Sequence, residues 1–136
     1  MNAAFHILVA DDDEDDRLII SEALRGFSPG IQISEVNNGQ QLVDLLKEQR
    51  TSNIRSHAII LDINMPYMDG AEALQKLHED DLLQGTPVYI LSTMRNKKRV
   101  EEAIALGAVS AFTKPSTMEQ FQEIINEILN NSFFAD

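Results

Sequence analysis

The chain has 136 residues, of which 22 are acidic and 11 are lysine or arginine, so its formal net charge is −11. This length suits one domain with one hydrophobic core, and the acidic charge argues against nucleic-acid binding, which needs a basic surface. The absence of cysteine excludes disulfides and thiolate chemistry, and no apolar run approaches the roughly 20 residues that span a membrane.

We therefore expect a single domain over residues 1–136, with its core at about 5–130 and a short C-terminal tail at 131–136. The first residues lack the basic start and long apolar segment of a signal peptide, which favours a cytoplasmic location without membrane attachment.

Five short apolar runs alternate with five stretches of helical periodicity. The predicted strands are residues 5–10, 31–34, 58–61, 88–91 and 109–113. The predicted helices have these apolar faces: Ile20, Ala23, Leu24 and Phe27; Leu42, Leu45 and Leu46; Leu74 and Leu77; Val100, Ala103 and Ile104; Met118, Phe121, Ile125 and Ile128. Such alternation predicts an α/β fold, a parallel sheet with helices on both faces, and leaves the strand order open.

Polar residues directly follow four of the predicted strands, at the sheet edge where α/β proteins bind ligands. They are Asp11 and Asp12 after the first strand, Asp62 after the third, Ser92 and Thr93 after the fourth, and Lys114 after the fifth. Carboxylates about 4 Å apart repel by roughly 4 kcal/mol at an effective dielectric of 20, so three of them together require either a cation or a shifted protonation state. Oxygen ligands suit Mg²⁺ or Mn²⁺, and a carboxylate, a hard metal, a lysine and a hydroxyl are the groups that phosphoryl transfer uses.

Four segments resemble the receiver domains of two-component response regulators, and the resemblance extends over about residues 5–130. The segments are LVADDD (8–13), LDINMPYMDG (61–70), LST (91–93) and TKP (113–115). The resemblance implies a three-layer α/β/α sandwich with a five-stranded parallel sheet of flavodoxin-like (βα)5 topology. It also implies a stand-alone regulator in a phosphorelay, which catalyses its own phosphorylation and dephosphorylation but is not an enzyme in the ordinary sense.

Carried over residue by residue, the resemblance makes Asp62 the acceptor of a phosphoryl group from a histidine kinase or phosphotransfer protein. Mg²⁺ (or Mn²⁺) would be bound by the Asp12 and Asp62 side chains, by Asp11 through water, and by the backbone carbonyl of Asn64. Ser92 would hydrogen-bond the phosphoryl group and Lys114 would pair with it. The Lys114–Pro115 peptide bond is expected to be cis, which X–Pro bonds tolerate.

One position departs from the family pattern. Ala111 stands three residues before Lys114, where the family usually has an aromatic residue, and Phe112 is next to it. Because side chains alternate along a strand, we expect Phe112 to point to the opposite face, into the core. Signalling is then predicted to rely on Ser92 and the loop 93–98, with Thr93 at its start.

Two other functions remain possible at this point. An aspartyl-phosphate phosphatase would have a second aspartate where Asn64 stands, and a degenerate receiver would act only as a binding module. An EF-hand is disfavoured because Asp16 occupies the position that requires glycine. The residues from Asp13 to Asp16 are interpreted as a solvated helix start, where carboxylates suit the helix dipole, and Asp69 as a helix cap before Gly70.

The expected output is protein–protein interaction with a downstream target, through the fourth helix, fifth strand and fifth helix by the family resemblance. We expect a monomer or weak homodimer. Phe133 and Phe134 are predicted either to fold back on the last helix or to contact a partner.

Overall fold

The computed structural model describes residues 5–93 and 95–133 and contains, within them, one parallel sheet and five helices. The strands are β1 (His6–Ala10), β2 (Gln32–Val36), β3 (Ala58–Leu61), β4 (Val88–Ser92) and β5 (Ser110–Thr113). The helices are α1 (Glu14–Phe27), α2 (Gly39–Thr51), α3 (Gly70–Glu79), α4 (Lys97–Ala105) and α5 (Met118–Phe133). The predicted α/β fold is confirmed.

The strand order is β2-β1-β3-β4-β5, the order of flavodoxin-like sheets. It places β1 next to β3, with Ala10 opposite Leu61, so the residues that follow these two strands emerge side by side. Ser92 pairs with Thr113 across β4 and β5, which places Lys114 at the same edge. The strand order therefore brings together polar residues that are far apart in the chain.

Alternating side chains of the sheet supply two hydrophobic cores, one on each face. On one face, residues such as Leu8 and Leu61 pack under α2, α3 and α4. On the other, residues such as Val9 and Ile60 pack under α1 and α5. Both faces of β3 are buried, as its unbroken apolar run predicts. The three-layer arrangement follows directly from this two-sided burial.

Two apolar residues from the predicted helical faces are exposed. Ile104 is 42% exposed, because α4 is short and flanks the edge strand β5, so its buried face extends only over Val100 and Ala103. Met118 is 44% exposed at the first residue of α5. Gly107 follows the end of α4 with a φ of 103°, a conformation that favours glycine.

The last helix ends at Phe133, and Phe134 lies outside the described residues. The contacts of these two phenylalanines stay a prediction. Within residues 5–93 and 95–133, no helix combines the length and apolar character that crossing a bilayer requires.

Candidate functional site

Asp62 is held between a hydroxyl and an ammonium group at the carboxyl end of β3. Its Oδ1 accepts hydrogen bonds from Ser92 Oγ at 2.8 Å and from the Asn64 backbone N–H at 3.1 Å, and its Oδ2 accepts from Lys114 Nζ at 3.0 Å. The residue is only 4% exposed, yet it lines an open cleft together with Asp12 and Lys114. Asp62 therefore combines a fixed orientation with access from solvent.

Lys114 lies among three carboxylates. Its Nζ is 2.8 Å from Asp11 Oδ2, 2.8 Å from Asp16 Oδ2 and 3.0 Å from Asp62 Oδ2. Burial alone would lower the pKa of Lys114, but the carboxylates of Asp11, Asp16 and Asp62 outweigh it and raise the pKa above its ordinary value. Lys114 is therefore a permanent cation in this site.

Asp11, Asp12 and Asp62 form an oxygen cluster that can hold a metal ion. Each offers a carboxylate oxygen, and these oxygens all lie within 4.8 Å of one another. Asp12 is exposed, whereas Asp11 is buried. Burial raises the pKa of Asp11 to about 6, and repulsion from Asp62 adds to the rise, although contacts with Lys114 and the Asp13 N–H oppose it. The cluster thus has more negative charge than its single lysine offsets.

One oxygen of Asp11 is left incompletely satisfied. Oδ1 accepts the Asp13 backbone N–H at 2.9 Å. Oδ2 is at ion-pair distance from Lys114, but among the described residues no donor makes a hydrogen bond of good geometry to it. We regard the 2.8 Å contact as an ion pair without hydrogen-bond directionality. A buried carboxylate oxygen in this state is suited to a bound cation or to water bound by one.

The loop after β3 joins the acceptor strand to the neighbouring elements. Asn64 Nδ2 donates to Ser92 Oγ at 3.2 Å and to Thr93 Oγ1 at 3.0 Å. Asp69 caps α3 in a capping box with Glu72, as predicted for a helix cap. Gly70 is required by close approach, since a Cβ there would collide with the backbone oxygen of Asp62.

This arrangement agrees with the comparison to known sequences. The chain matches the response regulator receiver domain over residues 7–126. It belongs to the response regulator receiver family. Receiver domains act in two-component signalling, and in general they interact with histidine kinases or phosphotransfer proteins and with downstream targets.

Individual relatives resemble this receiver over nearly its whole length. A probable chemotaxis protein CheY of Rhizobium etli is 32% identical over 124 residues, 90% of each chain. The phosphorylated cyanobacterial phytochrome response regulator RcpA is 26% identical, with a TM-score of 0.85 over 98% of this chain and 97% of that one. RPA3017, described as a response regulator in red light signalling of R. palustris, is 25% identical, with a TM-score of 0.80 over 97% and 96%.

Most of the predicted site residues of the receiver come together at one cleft, which is lined by Asp12, Asp62, Asn64, Thr93 and Lys114. Asp11 and Ser92 contact Lys114 and Asp62, whereas Ala111 and Pro115 do not line the cleft. Asp16 lines it as well, although it was not predicted as a site residue. Asp16 was interpreted with its neighbours as part of a solvated helix start. That interpretation is wrong for Asp16, which is half-buried and paired with Lys114. The sequence offered no signal for this pairing, because Asp12 precedes α1 and helical periodicity therefore does not relate it to Asp16. Asp13 does lie at the start of α1 and is exposed, and its side chain caps the helix by accepting the Asp16 backbone N–H.

Two expectations concern the residues around Lys114. The cis Lys114–Pro115 bond is a wrong expectation: the bond is trans, the isomer that X–Pro peptides favour by about 0.5–1 kcal/mol. Lys114 still reaches the site, because its backbone N–H donates to the Ser92 carbonyl at 2.8 Å. The expected orientation of Phe112 is confirmed, since it packs towards α1 and α5 while Ala111 packs on the opposite face.

Proposed function

We propose that Asp62 accepts a phosphoryl group from a histidine kinase or phosphotransfer protein. A carboxylate oxygen of Asp62 forms the new P–O bond, and the P–N bond of the phosphohistidine breaks with its electron pair staying on the imidazole nitrogen. The observation that carries this proposal is the simultaneous contact of Asp62 with Ser92 Oγ and Lys114 Nζ at the cleft. The hydroxyl and the ammonium are placed to bind the oxygens of the transferred group, where charge develops.

Mg²⁺, or Mn²⁺, is the proposed cofactor, and the residues fit it. Asp12 and Asp62 would bind it through their side chains, Asp11 through a water molecule, and Asn64 through its backbone carbonyl. All these ligands are oxygens, and the incompletely satisfied Oδ2 of Asp11 supports a cation at this place. When bound, the ion neutralises charge on the phosphoryl oxygens. Through these same residues the receiver would catalyse its own phosphorylation and dephosphorylation.

The phosphorylation signal is proposed to travel through Ser92, Thr93 and the loop that leads to α4. Asn64 hydrogen-bonds the hydroxyls of both Ser92 and Thr93 in the structure. A phosphoryl group on Asp62 that hydrogen-bonds the Ser92 hydroxyl would therefore disturb the contacts between these three residues. Ala111 has no aromatic side chain that could change its position on phosphorylation. Pro115 follows Lys114 at the start of the loop before α5. Met94, in the middle of the proposed switch loop, lies outside the described residues.

The proposed partners are a sensor histidine kinase or phosphotransfer protein and a downstream protein that binds the surface formed by α4, β5 and α5. Similarity to RcpA and RPA3017 supports phytochrome-type or other light-sensing kinases as donors. The net charge of −11 supports a protein rather than a nucleic-acid target. A cytoplasmic monomer, or a weak homodimer, is the proposed form.

Incubation with Mg²⁺ and a small phosphodonor, followed by intact-mass spectrometry, tests the proposal. We expect a lasting mass gain of one phosphoryl group in the wild type and none in Asp62→Asn. Asp80→Asn is a suitable control, because Asp80 lies at the C-terminal end of α3, whereas the start of this helix at Gly70 approaches Asp62. Turnover of the donor without accumulation would favour a phosphatase, and a wild type that takes up no phosphoryl group would favour a binding module.

A further inference from the structure

Asp16 is a carboxylate in the cleft that the proposed phosphorylation chemistry does not use. It belongs to the first turn of α1, whereas Lys114 lies 98 residues later in the chain, after β5. Their contact of 2.8 Å is shorter than the 3.0 Å contact between Lys114 and Asp62. The same ammonium is therefore shared between the proposed acceptor and a carboxylate that has no acceptor role.

An ammonium group has three donor hydrogens. That of Lys114 donates to Asp16 and to Asp62 and forms an ion pair with Asp11. The Lys114 side chain is only 8% exposed, so solvent supplies few alternative partners. A phosphoryl group on Asp62 would bring new anionic oxygens that need this ammonium. Asp16 would then compete with them for one donor, while its own charge would repel the incoming anion.

We propose that Asp16 is a positioning residue that retains Lys114 on the α1 side of the cleft and thereby slows phosphorylation of Asp62. This inference rests on the proposed function. Asp16 does not touch the transferred group in this mechanism but acts through Lys114. If Asp16 were neutral, it would compete less strongly with the phosphoryl oxygens for the Lys114 ammonium. The cleft would also carry one negative charge fewer and would repel the anionic phosphodonor less.

The test measures the rate of phosphorylation by acetyl phosphate at a Mg²⁺ concentration that saturates each variant. Asp16→Asn keeps the size and one acceptor oxygen but removes the charge, and we expect it to react about three to ten times faster than the wild type. Asp16→Glu keeps the carboxylate, and its phosphorylation rate should be within about twofold of the wild-type rate.

Asp15→Asn is the matched control, since it removes one charge from the same turn of α1 at an exposed residue outside the Lys114 cluster. We expect its rate to change by less than about twofold. An equal acceleration in Asp15→Asn would overturn the inference, because the loss of any negative charge from this turn of α1 would then explain the effect. An unchanged or slower Asp16→Asn would also overturn it.

Thermal unfolding of each variant distinguishes a changed rate from a damaged fold, because loss of structure would slow the reaction rather than accelerate it. If the wild type is phosphorylated and Asp16→Asn is no faster, the inference fails while the proposed function stands. If the wild type takes up no phosphoryl group, the proposed function fails and the inference fails with it.

Discussion

Replacing Asp11 with asparagine should stabilise the metal-free protein while weakening the proposed metal site. Desolvation of the buried Asp11 carboxyl is the main reason that its pKa is raised from 3.8 to about 6. A pKa raised in the folded state means that the folded protein binds the proton more tightly. The stability contributed by this proton is present below about pH 4 and is lost as the pH rises through about 6.

The magnitude follows from the size of the pKa shift. About two pKa units correspond to about 3 kcal/mol at neutral pH, which is the upper limit of what Asp11→Asn can recover. We expect about 1–2 kcal/mol, because an amide has one acceptor oxygen whereas Asp11 accepts from Asp13 and also faces Lys114. For a domain of this length the expected rise in Tm is about 2–8 °C.

Thermal unfolding followed by circular dichroism measures this effect in EDTA and in Mg²⁺, at about pH 7.5 and at about pH 4. The advantage of Asp11→Asn should be largest in EDTA at the higher pH and nearly absent at the lower one. Mg²⁺ should raise the Tm of the wild type by mass action and that of Asp11→Asn less. Asp12→Asn, at an exposed residue that is a proposed ligand, should lose the response to Mg²⁺ without the gain in EDTA. A metal-free Asp11→Asn less stable than the wild type at about pH 7.5 would refute this electrostatic reasoning.

Two further predictions concern the elements next to the site. Gly70→Ala should lower the free energy of unfolding by about 1–3 kcal/mol, because its Cβ would meet the Asp62 backbone oxygen. Chemical denaturation measures this cost. Gly30→Ala is the control and should be nearly neutral, because a Cβ at Gly30 would meet no atom within 4 Å. Arg99→Met should cost about 0.5–1 kcal/mol and less at high salt, because Arg99 binds Asp69 Oδ2 at 2.6 Å with both partners about one-quarter exposed. Lys76→Met, which removes an exposed pair at 3.8 Å, is the control and should change stability little; equal costs for both variants would contradict the importance assigned to the Arg99 pair.

The sequence alone predicts the elements and most of the site because their signals are local. The apolar period reveals strands and helices within a few residues, and polar residues directly after strands mark the ligand edge of a parallel sheet. Asp11, Asp62, Ser92 and Lys114 were found in this way, with the family resemblance supplying their roles. The boundaries of β3 agree with its apolar run from Ala58 to Leu61.

Tertiary structure decided the features that depend on long-range neighbours. The order β2-β1-β3-β4-β5 places β1 beside β3, and a pattern within one strand does not encode its neighbour. The pairing of Asp16 with Lys114 spans 98 residues, so a run of six acidic residues could not show which of them faces the cleft. The same holds for the contact between Arg99 on α4 and Asp69, the cap of α3. Local periodicity identifies most of the residues that face inward, but only packing of the whole chain selects which charges meet.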